Sequence, residues 1–413
     1  MKRKPQVESL ESRIALSAAG LVPSGAQPEG ALSGKIGYAH GGHGYFIDPG
    51  WTYQRPFQYE MIEDLGNVDQ MTLFVDEAWR AGATVVPLRP VGHQLAEVVL
   101  DNDDAEVTYS GTWTDSSSSI SFGDAGDVPY RYATTSASET ATAVYRPNLP
   151  SDGYYPVYAW TRAGSDRTEQ LYRVNHAGGS TEVTVNHRQV GNGLVYLGTY
   201  YFDAGSEGSV VISNRSSEPG RVVIADMIRF GNGMGSINPG PGISLQSRED
   251  ETGLYWVQWH VDHSQGISDS EYRAAGSSDR SSAVSFSPRY AEYMNREADG
   301  ALSDRVFVSF HSNGVGGRGV LALYNGNGTP SSATPNQYLL AKTLGQEVND
   351  DLVSQSSVFE HAWHDQGQST TLDRTDIEFG EINNSYVHNE FDATIVEVAY
   401  HDDRFDAELM RDP

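Results

Sequence analysis

The chain has 413 residues, enough for two or three domains and at least one sizeable core. Lysine and arginine number 28 against 55 aspartates and glutamates, a formal net charge of −27, which argues against a nucleic-acid partner because phosphate binding needs clustered cations. There is no cysteine, so disulfides and thiolate chemistry are excluded and any metal must be held by His, Asp or Glu. No apolar run reaches the roughly 18 residues of a membrane-spanning helix, so no transmembrane segment is expected.

Residues 1–30 read as a leader outside the fold. The start is basic, but Ile14-Ala-Leu is too short for a signal-peptide core. The stretch VESLESRIALSA resembles a short amino-terminal motif of exported proteins in some bacteria, which points to a secreted or cell-envelope location. Residues 31–105 have α/β texture. KIGYA (35–39) predicts a strand, followed by the turn Gly41-Gly-His-Gly. Residues 60–81 predict a helix through Ile62, Leu65, Val68, Met71, Leu73, Val75 and Ala78, with Gly82 at its C-cap. ATVVPLR (83–89) predicts a buried strand.

The texture changes over 106–232, where seven short alternating strands at turn-punctuated intervals predict an all-β sandwich. Residues 233–242 are rich in Gly and Pro and read as a linker. From 243 to 413 the α/β texture returns. LYWVQWHV (254–261), DRVFVSFHSN (304–313) and ATIVEVAYHDD (393–403) predict strands; SPRYAEYMNREAD (287–299), NQYLLAKTLGQEVNDDLV (336–353) and RFDAELMRD (404–412) predict helices. The expected fold class is therefore α/β, a mostly parallel sheet flanked by helices and interrupted by a β-sandwich, since a surface loop tolerates an insert whose termini are close.

Four residues stand where their chemistry needs a reason. His43 lies in a glycine turn, Glu63 opens the first helix, His311 ends an apolar strand, and Glu397 sits inside the apolar run IVEVAY. A carboxylate in a buried strand costs several kcal/mol unless paired, hydrogen-bonded or metal-linked. In an open parallel sheet, sites form at the carboxyl ends of strands, where these residues can converge. Two His, one carboxylate and a second carboxylate as general base make a catalytic metal set. Singly each has a bland alternative: a loop histidine, a helix-start carboxylate favoured by the macrodipole, a strand-end histidine and a structural ion pair.

IGYAHGGHG (36–44), Glu63–Asn67, AGATVVPLR (81–89), FVSFHSN (307–313) and the closing segment 395–413 together resemble the zinc-dependent N-acetylmuramoyl-L-alanine amidase family, in that family's order. The resemblance implies Zn2+ held by His43, Glu63 and His311, with Glu397 as the catalytic acid/base that takes a proton from water and returns it to the leaving amine. Asn67, Arg89 and Asn313 fall at supporting or substrate-binding positions. The turn Ala39-His-Gly-Gly-His-Gly departs from the family's Asp-x-Gly-His-Gly-Gly, so His40 competes with His43, which alone precedes the glycine as in the family. Stretches within 107–232, among them ATAVYRPNLP (141–150) and YPVYAW (155–160), resemble the golvesin / xanthan-lyase carbohydrate-binding-like domain. Trp113, Tyr130, Tyr132, Tyr155, Tyr158, Trp160, Tyr200 and Tyr201 could include a sugar-stacking platform, although alternation places most of them in the core.

The pairs His361/His364 and His260/His263 lack a third ligand or a glycine turn, and the acidic run at Asp101 lacks the glycine of a calcium loop. The leading expectation is a zinc amidase acting on peptidoglycan, with a glycan-binding module. The competing readings are an inactive amidase-like fold that binds glycan as an adhesin, and a zinc hydrolase of another amide or peptide. Oligomeric state is not legible.

Overall fold

The computed structural model describes residues 25–296, 302–314, 316–326, 332–354 and 369–411. Ten strands build the central sheet: β1 (Ile36–Gly41), β2 (Thr84–Pro87), β3 (Glu97–Leu100), β4 (Gly153–Trp160), β5 (Leu194–Phe202), β6 (Met227–Gly231), β7 (Arg305–Asn313), β8 (Leu321–Tyr324), β9 (Thr371–Asp373) and β10 (Asp392–Tyr400). Their order is β9-β8-β10-β7-β1-β2-β5-β4-β6-β3. Strands β10, β7, β1 and β2 pair in parallel, whereas β5, β4, β6 and β3 join antiparallel. The sheet is thus mixed rather than mostly parallel. The reason is that the interrupting strands do not stand apart: β5 continues the sheet at the edge of β2, through Tyr196 opposite Val85.

Those four antiparallel strands are one layer of the sandwich. The other is a six-stranded sheet running Gly25–Ala26, Gly179–Asn186, Glu169–His176, Ser209–Ser213, Thr142–Tyr145 and Val107–Ser110. His176 stacks on Tyr200 at 4.8 Å between the layers. Residues 25–30, expected to lie outside the fold, are part of it: Gly25 and Ala26 pair with Thr181 and Glu182, and the Gln27 amide donates to the carbonyls of Trp79 and Ala83 at 2.9 Å each.

Helix α1 (Glu63–Arg80) buries Val68, Met71, Val75, Ala78 and Trp79 at helical spacing. Leu73, which the periodicity assigned to that face, is 68% exposed. The helix ends in a Schellman turn, Gly82 N–H to Trp79 O and Ala83 N–H to Ala78 O, with Gly82 at φ +94°.

LYWVQWHV forms helix α2 (Gly253–Asp262), not a strand. A helix apolar on nearly every face must be buried, and this one lies against β2 and β6 with Leu254–Val257 fully buried. The Trp256 indole N–H donates to Pro87 O at 3.3 Å, while the Arg229 guanidinium of β6 lies over Trp256 and Trp259 at 4.6 and 4.4 Å. Helices α3 (Phe286–Met294), α4 (Gln337–Ser354) and α5 (Arg404–Arg411) follow the predicted positions, α4 and α5 packing on β10. No helix among the described residues is long and apolar enough to cross a membrane.

Strand Val222–Ala225 and β6 are separated by Asp226, which is 1% exposed. One carboxylate oxygen accepts from Phe122 N–H at 3.2 Å and the other has no partner. Burial, with Asp101 and Asp103 nearby, raises its pKa well above the ordinary value. A carboxyl whose folded pKa is raised favours folding below its unfolded pKa, and that advantage is lost as pH rises. The stability difference between Asp226→Asn and wild type, measured by urea unfolding, is therefore expected to widen in favour of the variant from pH 5 to pH 9. Parallel pH profiles would contradict this.

Candidate metal centre at the carboxyl ends of the parallel strands

The chain leaves β1 into Gly42, His43 and Gly44, and the turn is shaped by close approaches. A Cβ on Gly42 would stand 2.2 Å from the His311 ring; one on Gly44, at φ +85°, would stand 2.5 Å from Glu251 backbone. The Asn67 amide donates to Gly42 O. Arg89, fully buried, donates to Gly41 O at 2.7 Å, Asp64 O at 2.7 Å and Glu249 O at 2.8 Å. Both residues, expected at supporting positions, therefore hold the turn and the start of α1. Asp64 completes this frame by accepting from the backbone N–H of Gln54 and Arg55 at 3.0 and 3.1 Å.

Three expected ligands meet. His43 Nε2 is 3.6 Å and His311 Nδ1 3.1 Å from Glu63 Oε1, and the two imidazole centroids are 4.7 Å apart. Ligand atoms ~2.0–2.1 Å from a tetrahedral ion stand about 3.4 Å from one another, so these spacings fit one small divalent cation. The fit has a second support: both His43 ring nitrogens are shielded from solvent without a hydrogen-bond partner. The cluster comes from the turn after β1, the first residue of α1, and the end of β7.

The electrostatics follow from burial and pairing. Burial holds His43 down to about 4, so its ring is neutral and free to ligate at pH 7. Burial by itself would raise Glu63, but His43, His311 and Arg55, whose Nε is 2.8 Å from Glu63 Oε2, bring it down to about 2. Burial opposes charge on His311, yet Glu381 and Glu63 outweigh it and raise its pKa well above the usual value. In the metal-free protein His311 is thus an imidazolium between two carboxylates, and a cation bound there would displace its Nδ1 proton.

Glu397 stands opposite His311 in the parallel register of β10 and β7. It is half-buried, its Oε2 is shielded and unpartnered, and burial raises its pKa to about 7. A carboxyl poised there can take or give a proton near neutrality.

Asn313 does not join the cluster through a hydrogen bond; its side chain accepts from Gly314 N–H at 2.8 Å. His40 sits one step behind the cluster, its Nδ1 2.9 Å from Ser309 Oγ and 3.7 Å from Glu381 Oε1. Sequence reasoning missed Glu381, in the single turn Gly380–Ile382, because a lone Glu in the stretch FGEINN carries no periodic signal. It also gave no role to His401, whose Nδ1 lies 3.1 Å from Ser312 Oγ and 3.9 Å from Glu63 Oε2.

His361 and His364 lie outside the described residues. His260 is buried in α2 against Tyr290 at 5.2 Å, a packed core histidine. In the sandwich, Tyr130, Tyr155, Tyr158, Trp160 and Tyr200 are buried, leaving Trp113, Tyr132 and Tyr201 half-exposed.

Residues 98–232 match the family described as the Golvesin C-terminal domain. A xanthan lyase of Bacillus sp. (strain GL1) is 32% identical over 224 residues, covering 51% of this chain and 23% of that protein, so the chain spans about a quarter of that relative. Among solved structures, a Paenibacillus xanthan lyase is similar at 32% identity over 34% of this chain and 13% of that one, with a TM-score of 0.30. The N-acetylmuramyl-L-alanine amidase of Mycobacterium smegmatis is similar at 22% identity over 26% of this chain and 45% of that one, with a TM-score of 0.19.

Proposed function

We propose that the chain is an extracellular zinc-dependent amidohydrolase that cleaves the amide bond between N-acetylmuramic acid and L-alanine in peptidoglycan, with residues 98–232 serving as a glycan-binding module. The observation that carries the reading is the gathering of His43, Glu63 and His311 from three distant segments, with Glu63 Oε1 3.6 and 3.1 Å from the two rings, beside a shielded, unpartnered Glu397 oxygen. Two imidazoles and one carboxylate with an open fourth position are the donor set of catalytic zinc. When bound, zinc supplies Lewis acidity at the amide carbonyl and makes water a nucleophile near neutral pH.

The protein's own groups do the rest. Glu397 Oε2 takes a proton from the attacking water and returns it to the amide nitrogen as that bond breaks. Asn67 and Arg89 keep the turn that carries His43 against the end of β7. No covalent intermediate is required. The module match, and the resemblance to xanthan lyase, support binding to an extracellular polysaccharide through the sandwich. The same match favours a second reading, a glycan-binding protein without hydrolysis.

One experiment separates the two. Zinc-loaded protein incubated with purified peptidoglycan is expected to release peptides with free L-alanine amino termini, detected by mass spectrometry, and chelation should stop the release. Adsorption to the polymer without release would leave only the binding reading. Release from other peptides or amides, but not from peptidoglycan, would keep the zinc hydrolase and replace its substrate.

A further inference from the structure

The two nitrogens of His311 face opposite carboxylates. Nδ1 is 3.1 Å from Glu63 Oε1, and Nε2 is 3.0 Å from Glu381 Oε2. Ser309 Oγ lies 3.2 Å from the same Nε2 and 2.9 Å from His40 Nδ1. Glu381, His40 and Ser309 are all less than 4% exposed, so this is an enclosed layer behind the cluster. Glu381 itself is anchored from α4, because the next residue, Ile382, accepts from the Gln337 amide at 2.8 Å.

We propose that Glu381 is a positioning residue: its carboxylate accepts the His311 Nε2 proton, which fixes the ring's tautomer and orientation and leaves Nδ1 as the ligand atom beside His43 and Glu63. This deepens the metal-site reading and rests on it. An acceptor on the far nitrogen also makes the ligating nitrogen more basic, and such partners typically alter metal affinity by about 10–100-fold.

His40, His311 and Glu381 could themselves be taken for a second cation site, since their ligand atoms lie within 4.8 Å of one another. One observation favours the positioning role: the His40 nitrogen facing Glu381, Nδ1 at 3.7 Å from Oε1, is already engaged with Ser309 at 2.9 Å. A second cation would also require the His311 ring to give up both protons.

The test uses the full chain, with zinc affinity and stoichiometry measured by competition against a chromophoric chelator for wild type, Glu381→Gln and Glu381→Leu. Wild type is expected to bind one zinc per chain. Glu381→Gln, which keeps a neutral acceptor, should weaken affinity about 10-fold, and Glu381→Leu, with none, toward about 100-fold. Nitrogen-15 NMR of the zinc-loaded wild type should show His311 as the Nε2–H tautomer. Thermal unfolding of the metal-free variants checks their folding; should Glu381→Leu not fold, Glu381→Gln and the tautomer decide. Equal affinities in all variants, or the Nδ1–H tautomer, would overturn the proposal while leaving the metal centre intact. Two zinc ions per wild-type chain, one lost in Glu381→Leu, would make Glu381 a ligand and overturn it too. A wild type that binds no zinc would remove both this proposal and the metal reading, and is recognised without any variant.

Discussion

His311→Ala is expected to lower zinc affinity by more than about 100-fold, beyond what loss of a supporting partner causes, and to destabilise even the metal-free protein by about 3–5 kcal/mol. The double effect follows from its position. Among the described residues His311 alone hydrogen-bonds both Glu63 and Glu381, which are 1% and 3% exposed. Removing the ring leaves two carboxylates buried without their shared cationic partner, and breaking a buried pair costs far more than the intact pair contributes. Urea unfolding of the metal-free variant and chelator competition measure the two effects separately. An unchanged metal-free stability would mean that the carboxylates find other partners, and an unchanged zinc affinity would remove His311 from the ligand set.

Glu397→Gln is expected to keep zinc and lose turnover by about 10²–10⁴-fold, the usual contribution of a general acid–base. The amide fills the same space in β10 but cannot accept and return the proton. The same variant carries a stability signature in the metal-free state. Burial raises the Glu397 pKa to about 7 from the ordinary 4.5 of a glutamate, so the folded protein holds that proton longer than the unfolded chain. The resulting stability is fully present below about 4.5 and is lost as pH rises through about 7. Metal-free Glu397→Gln should therefore match wild type near pH 4.5 and exceed it at pH 8, as read by urea unfolding. Full turnover in the variant would move the proton transfer to another group; loss of zinc would instead make Glu397 a ligand.

Several elements were legible because one local rule governs them. Helix α1 follows from its apolar spacing and from Gly82 at its end, and β7 and β10 follow from apolar runs bounded by polar loops. His43, Glu63, His311 and Glu397 could be singled out because each is a polar group at a turn, helix start, strand end or buried strand where polarity needs a reason. Helix α2 reads as a strand because a short run apolar on all faces has no period; what shows it to be a helix is its packing, with Trp256 against Pro87 and under the Arg229 guanidinium. Leu73 fits the spacing of α1 yet faces solvent, since spacing names a stripe but not its edges.

The sequence by itself determined helices α1, α3, α4 and α5, strands β1, β7 and β10, and a run of short strands over 106–232, because these depend on periodicity and on residues close along the chain. Only the tertiary structure decided that the sandwich strands extend the central sheet through Tyr196 and Val85, and that Glu381 stands 3.0 Å from His311 across 70 positions. Contacts of that kind depend on how separate elements pack, and no local pattern records which distant backbone or side chain completes an edge or a hydrogen bond.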